Sequence, residues 1–282
     1  MMQFIRAGYY TSLQDRGRYG WRYYGVPVSG PVDRRAFALA NALLPVEDDS
    51  SVLECHLLGP KIRFDAALAF VITGALVKAH LNGKLLHRHE IYSAQAGDVL
   101  DVGQVQKGLR VYLKFSAKLS APRPMGSSAM FVPITPKARF ADGDTIQGEP
   151  IFAQKQANAH IKVNDDYLHE HGLVVSPGPD FAALHATAQA KLLKTPFTVR
   201  AQSRMGYRLS GSFHAKASAH MASQLVVPGL VQLTPSGELL VAMADAQVTG
   251  GYMQVLQLSP VAQNILSQKR EGDSIKFRCR PS

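Results

Sequence analysis

A mainly β protein with a few helices is the fold that this sequence predicts. Its apolar stretches are short and either alternate or run unbroken over a few residues, as strands do. Turn residues such as Asn82-Gly83 and Pro235-Ser-Gly237 separate them. Only three segments carry a full set of helix signals. The 282 residues suffice for one large domain or two modest ones. With 46% hydrophobic and 18% charged residues, the chain is globular and not disordered.

The first helix is expected from about Pro31 to Leu44. Gly30 caps it, Pro31 suits the first helical position, and Asp33 sits well in the first turn. Ala36, Ala40, Leu43 and Leu44 then share a face before Pro45 ends the run. Strands follow at 69–72 and 76–81, with Asn82-Gly83 as a hairpin turn into 85–92, then at 98–100 and 109–115. From about Ala121 to His160 the apolar pattern is poor and prolines fall at 122, 124 and 133, marking a divider. A second helix is expected over 179–193, with Phe181, Leu184, Ala188 and Leu192 inward. Strands are read at 230–233, 239–243 and 252–258. A third helix opens at Ser259-Pro260, buries Ile265 and Leu266, and ends at Lys269-Arg270. Ala96-Gly-Asp-Val-Leu100 is echoed by Glu271-Gly-Asp-Ser-Ile275, a hint of two similar halves.

Composition narrows the function. No apolar run reaches membrane-spanning length and Met1–Arg6 has no signal-peptide core, so a cytoplasmic location is expected, without a membrane partner. Cys55 and Cys279 are too few for a disulfide framework and lack metal-ligand spacing. The formal charge of +10, with Arg16, Arg18, Arg22, Arg34 and Arg35 among Tyr19, Trp21, Tyr23 and Tyr24, invites a nucleic-acid reading. The remaining charge is dispersed and no nucleic-acid module is visible, so no nucleic-acid partner is expected. His87-x-His89 and His169-Glu-His171 would each pair two imidazoles if extended, but no third ligand is suitably spaced and no metal is expected.

Chemistry concentrates in three places. The loop Thr11–Asn41 packs Gln14, Asp15, Arg18, Ser29 and Asp33 among glycines and prolines. Turn and capping duties account for Ser29, Gly30 and Asp33, but less readily for Gln14-Asp15 followed by Gly17-Arg18. Gln14 can both donate to and accept from a planar amide, Asp15 can move a proton, and Arg18 can bind an anion. The second place is Asp245-Ala-Gln-Val-Thr-Gly-Gly-Tyr252. If extended, it puts Asp245, Gln247 and Thr249 on one face, with Gly250, Gly251 and Tyr252 beside them; a polar strand end with a glycine bulge is the alternative. The third is Arg204 and Arg208 around Gly206, either an anion site or ordinary surface. Gln14, Asp15, Asp245 and Gln247 are expected to converge on one cleft.

These motifs carry a resemblance. Gln14-Asp15-x-Gly17-Arg18-x-Gly20, Gly25-Val26-Pro27-x-Ser29-Gly30-x-x-Asp33 and Ala40-Asn41 resemble the opening of the allophanate hydrolase subunit 2 family. The likeness continues through Leu53-Glu54, Gly59-Pro60, Thr73-Gly74-Ala75 and Asn82-Gly83. It resumes at Pro177-Gly178-Pro179, Arg204-Met205-Gly206-Tyr207-Arg208-Leu209-x-Gly211, Asp245–Tyr252 and Gly272-Asp273. The family includes the C subunit of 5-oxoprolinase, the antagonist of the KipI kinase inhibitor, and part of the carboxyltransferase region of urea carboxylase. The resemblance implies two cyclophilin-like β-barrel domains, 1–140 and 141–282, between which segments can be exchanged.

It also implies a function: one component of an ATP-dependent 5-oxoprolinase that opens 5-oxo-L-proline to L-glutamate together with separate A and B subunits, the second of them KipI-like. The resemblance supplies the reaction, and side-chain chemistry makes Asp15 and Asp245 the catalytic candidates within it. Gln14, Arg18, Ser29, Arg204, Gln247, Thr249, Gly250, Gly251 and Tyr252 are the substrate-binding ones. ATP is a cosubstrate of the complex in that reading; as the sequence has no Gly-x-x-x-x-Gly-Lys-Ser/Thr phosphate loop, its site is of another kind or is contributed by a partner chain. The alternatives are a carboxyltransferase component, with biotin carried elsewhere and a urea-like amide as acceptor, and a non-catalytic regulator of a KipI-like partner. The sequence departs from the family where Ser203 replaces an Asp, Met253 replaces a proline, and Gly126–Met130 and Thr135–Arg139 replace a Gly-Ser-x-Ser-Thr segment and the glycine-rich stretch after it.

Overall fold

A computed structural model describes residues 2–151, 163–211, 213 and 222–279. The second histidine pair and the family motifs lie within this range, but 152–160 of the expected divider do not. The described residues form many strands and three α-helices: α1 (Arg34–Leu43), α2 (Ala186–Lys194) and α3 (Pro260–Ser267). They group into two compact units, Met1–Arg18 with Ser29–Asp165, and Tyr19–Val28 with Asp166–Ser282.

The first unit is a curled ten-stranded sheet. Its spine is the antiparallel pair Leu68–Leu81 and Val99–Phe115, paired from Phe70 opposite Phe115 to Leu81 opposite Leu100 with register shifts between Gly74 and Ala79. Alternation distributes the side chains between two faces. Phe70, Ile72, Val111 and Leu113 join Phe4, Leu53, Ile62 and Phe64 in the main core. Their neighbours Val71, Tyr112 and Val52 point the other way, against Ala36, Phe37 and Ala40 of α1. What the sequence suggests as two strands either side of residues 73–75 is one strand with a bulge. Gly74 takes φ +90°, and a Cβ there would run into the Arg110 carbonyl. At Asn82-Gly83 both residues take positive φ, 49° and 82°, between the paired Leu81 and Lys84, as the hairpin reading requires. The expected strand 85–92 is broken into Lys84–Leu86 and Ile91–Ala94 by a turn with His89 at φ +67°, so the first histidine pair is not extended.

The helix α1 starts three residues later than the sequence predicts. Asp33 is its N-cap, with Oδ1 accepting from the Ala36 amide at 3.0 Å. Residues 31–33 are drawn instead onto the sheet: the Val32 amide donates to Glu54 Oε2 (2.9 Å) and the Asp33 amide to the Tyr112 hydroxyl (2.8 Å). Within the expected divider, residues 121–151 belong to the first unit, where Ser127, Ser128 and Ala129 are buried.

The second unit contains a closed seven-stranded barrel. It runs Gly172–Pro177, Met253–Leu258, Leu230–Leu233, Leu239–Ala242, Gly206–Ser210, Pro196–Gln202 and Ser274–Cys279, and closes by parallel pairing of the last strand with the first. Leu173, Val199, Leu209, Val231, Val241, Val255, Ile275 and Phe277 fill it. Ser259 caps α3 as expected, while α2 is shorter than expected, preceded by the single 3-10 turn Phe181–Ala183. The Gly-Asp echo has a structural basis. Gly97 and Gly272 take φ near +90°, and Asp98 and Asp273 each accept from the amide three residues back, at 2.7 and 2.8 Å. Of the arginines weighed for nucleic acid, Arg18 is buried and Arg22 donates to the Val226 carbonyl.

Candidate functional site

In the first unit Gln14, Asp15, Arg18 and Ser29 come together as a buried cluster. Gln14 ends the strand Tyr10–Gln14; its Nε2 donates to Ser12 Oγ at 3.0 Å and the Met130 carbonyl at 3.4 Å. Asp15 follows and accepts four hydrogen bonds. Oδ1 takes the Gly17 amide (2.8 Å) and the Ser127 hydroxyl (2.6 Å); Oδ2 takes the Ser128 amide (2.7 Å) and hydroxyl (3.1 Å). An ionised carboxylate offers about four lone-pair sites, so this set occupies it. Arg18 donates to Ser29 Oγ at 3.2 Å and to the Ala129 carbonyl. Gly30, at φ +81°, lets the chain pass close to the Asp15 backbone.

The loop 29–33 is held from beneath by a second buried network. The Tyr112 hydroxyl donates to Glu54 Oε2 at 2.7 Å, and Arg110 lies 3.7 Å from Glu54 Oε1. Burial, then the charge of Glu54, push the Tyr112 hydroxyl well above the ordinary tyrosine range. The sequence alone gives Tyr112 no role and shows Gly126–Met130 only as a departure from the family. Yet Ser127 and Ser128 are the partners of Asp15. Adjacent serines able to meet a buried carboxylate are the one signal for this that the sequence carries. A polar cavity of about 450 Å³ opens beside this cluster, lined by Asp15, Gly17, Asn41, Asp48, Asp49 and Arg123. Below it, Lys114 Nζ donates to the carbonyls of Asp49 (2.6 Å) and Ser51 (3.2 Å), and burial lowers its pKa to about 8 against the opposing pull of Asp49.

In the second unit Arg204 and Asp245 form a bidentate pair, Nε to Oδ2 at 2.7 Å and Nη2 to Oδ1 at 3.1 Å, with both side chains buried. The Asp245 amide also donates to the Arg204 carbonyl at 2.9 Å. Arg204 therefore meets a protein carboxylate. Ser203 Oγ accepts from the amides of Met205 (3.1 Å) and Gly206 (3.3 Å), an acceptor that the family's Asp could equally provide.

The segment after Asp245 corrects the extended reading. Asp245 lies in a turn closed by the Ala246 amide on the Met243 carbonyl, and is buried, whereas Gln247 and Thr249 are exposed. The three do not share a face. Thr249 and Gly250 form a two-stranded ladder with Gln224 and Leu225, and Tyr252 is partly exposed. Of these candidates Gln247 lines a cavity of about 530 Å³ in the same unit, together with Gln202, Ser203, Met205, Arg208 and Gln232. Arg204, Asp245, Thr249, Gly251 and Tyr252 lie outside its lining, although Met205 and Ala246, next to the ion pair, form part of it. Among the described residues no cluster of three or more His, Cys, Asp or Glu side chains is placed to hold a metal, and no helix is long and apolar enough to cross a membrane.

Comparison with known proteins places this geometry in context. The family model "Carboxyltransferase domain, subdomain A and B" matches residues 24–279. The chain is 29% identical to the C subunit of 5-oxoprolinase from Escherichia coli over 283 aligned positions, covering 98% of this chain and 90% of that protein. It is 34% identical to urea amidolyase of Saccharomyces cerevisiae over 125 positions, 44% of this chain and 7% of that much longer protein. The crystal structure of TTHA0988 superposes with a TM-score of 0.88 at 25% identity, covering 98% of this chain and 55% of that one, so this chain spans about half of that solved protein.

Proposed function

The chain belongs to the carboxyltransferase domain family, subdomains A and B, and we propose that it serves there as the C-type subunit of an ATP-dependent 5-oxoprolinase. The observation that carries this reading is the end-to-end match to the Escherichia coli protein of that kind, 98% of one chain on 90% of the other. The cavity of the second unit supports it, because the amide side chains of Gln202, Gln232 and Gln247 in its wall suit a planar amide substrate.

An amide carbon is a poor electrophile. Transfer of the γ-phosphoryl group of ATP to the lactam oxygen, leaving ADP, activates it. Water then adds to that carbon, the C–N bond breaks and the nitrogen takes up a proton; a second water releases phosphate and leaves glutamate. The nucleotide site is assigned to a partner chain, as this sequence lacks a phosphate loop. Within this chain, Gln247 orients the lactam from the cavity wall. Asp15 and Asp245 are positioning residues: the first fastens loop 15–18 to Ser127-Ser128, the second fixes Arg204 and the turn beneath Gln247. This revises the proton-transfer role expected of the two carboxylates, since Asp15 accepts four hydrogen bonds from the protein and Asp245 is held in a bidentate ion pair with Arg204.

The test is reconstitution with cognate A and B subunits. The expected result is 5-oxoproline-dependent release of ADP and phosphate that requires all three chains. A second reading, a carboxyltransferase component acting with biotin carried elsewhere, is favoured by the family description and by the urea amidolyase match. Carboxyl transfer to a urea-like amide, with no turnover of 5-oxoproline, would put that reading first.

A further inference from the structure

We propose that Gln232 is the residue that grips the carbonyl oxygen of a cyclic amide in the cavity of the second unit. Gln232 interrupts an otherwise apolar barrel strand, Leu230–Leu233, and both its neighbours Val231 and Leu233 are fully buried. The residue is 3% exposed, and its buried Nε2 makes no hydrogen bond among the described residues. A buried amide donor left unmade is costly and rare in folded proteins. The strand pairing skips a residue at this point, Val231 opposite Leu256 and Gln232 opposite Gln254, so a local bulge sets the side chain's position.

The side chain lines the 530 Å³ cavity, and a second amide converges on the same place. A Cβ on Gly250 would lie 3.2 Å from both Gln232 Nε2 and Gln247 Nε2, so the two amide nitrogens are close neighbours, both on side chains of the cavity wall. Leu240, Val226 and Ala242 supply apolar walls for a ring, and among the described residues no carboxylate side chain is in the lining. The lining also holds Arg208, exposed and only loosely paired with Glu238 at 3.9 Å. Two amide donors, apolar walls and one outlying cation describe a ligand with a ring carbonyl and, at its far end, a carboxylate. A lactam carboxylate fits; a ring acid without the carbonyl does not. The choice of lactam over cyclic urea rests on the 5-oxoprolinase reading, whereas the donor role of Gln232 rests on the cavity alone.

Calorimetric titration of the full chain tests this with three probes: 5-oxo-L-proline, neutral 2-pyrrolidinone, and L-proline, which lacks the ring carbonyl. Both lactams are expected to bind, 5-oxo-L-proline more tightly, and L-proline not at the same concentrations. Gln232→Leu is expected to weaken lactam binding about ten-fold, while its melting temperature stays equal to or above wild type because an unmade donor has been removed. Gln232→Met, unbranched and close in volume, repeats the test if the leucine variant folds poorly. Lactam affinity unchanged in both variants, or no lactam binding by wild type, overturns the proposal. Reconstituted turnover is read separately. Normal 5-oxoproline turnover with unchanged KM in Gln232→Leu sinks the role of Gln232 and leaves the 5-oxoprolinase reading standing. Lactam binding that depends on Gln232 in a complex that never turns over 5-oxoproline does the reverse.

Discussion

Asp15 and Ser128 are joined twice: one carboxylate oxygen, Oδ2, accepts both the backbone amide of Ser128 at 2.7 Å and its hydroxyl at 3.1 Å. They are 113 residues apart, so this contact fastens the N-terminal loop to the Gly126–Met130 segment and places Arg18 under the Ala129 carbonyl. Ser128 also meets Ser51 at 3.0 Å, which brings a third stretch of chain into the arrangement.

Removing the carboxylate leaves several buried donors without an acceptor. Asp15→Ala is therefore expected to lower stability by about 2–3 kcal/mol, and Asp15→Asn by less, since its amide oxygen still accepts from one side. Urea denaturation of the three proteins checks the order. An Asp15→Ala variant as stable as wild type would show that the network is not what holds the loop.

The Arg204–Asp245 pair yields a sharper contrast. Breaking a buried ion pair from one side strands the other charge, so Asp245→Asn or Arg204→Met alone is expected to cost about 3 kcal/mol. Replacing both with apolar residues, Arg204→Met with Asp245→Leu, is expected to recover most of that loss while still disturbing the turn that carries Gln247. Stability and lactam affinity should thus separate: restored melting temperature, weakened binding. Recovery of both in the double variant would remove the pair from the positioning of the cavity.

A feature is legible in this sequence where its cause is local. Asn82-Gly83 demands positive φ and a tight hairpin wherever it stands, and Ser259-Pro260 is a cap wherever an apolar face follows; the structure has both. The Gly-Asp echo is legible because the turn is closed by its own side chain. The start of α1 is not, because the choice of Asp33 over Gly30 as cap is made by Glu54 and Tyr112, distant residues that bind the intervening amides. The face expected for Asp245, Gln247 and Thr249 fails for a similar reason: the ion pair to Arg204 turns the chain where a period-two pattern assumes it extended. Gln232 is invisible in Leu-Val-Gln-Leu, since only the barrel reveals that its side chain is buried without a partner. Ser127 and Ser128 look like an eroded motif because their meaning lies in the distant Asp15.

Cys55 gives a prediction in pH. It is fully buried, and burial above all raises its pKa from 9.0 to about 12, with the hydrogen bond from Thr11 working the other way. A group whose folded pKa is raised contributes its stability below the unfolded value and loses it as pH climbs toward the folded one. From pH 9 upward, wild type is therefore expected to lose stability relative to Cys55→Ala by about 1.4 kcal/mol per pH unit. In the native protein a thiol reagent should label the exposed Cys279 and spare Cys55, with the second thiol appearing only in denaturant. Rapid labelling of both in the native state would contradict the burial.

The isolated chain is expected to hydrolyse no ATP, with or without 5-oxoproline. A nucleotide needs a place where backbone amides and a cation meet its phosphates, and the sequence contains no phosphate loop of the common kind. The two chemical readings and the regulatory one all accept this, so the silence of the lone chain does not choose among them. Adding the partners does. With A and B subunits present, the 5-oxoprolinase reading expects ADP release that depends on 5-oxoproline, and a raised KM with little change in kcat when Gln247→Leu removes a donor used in binding. A regulator expects the opposite dependence: Gln247→Leu leaves the complex and its effect on the partner unchanged, because nothing in the cavity takes part. ATP turnover by the purified chain alone, at a rate that follows the chain's concentration through every purification step, would refute the division of labour from which both expectations start.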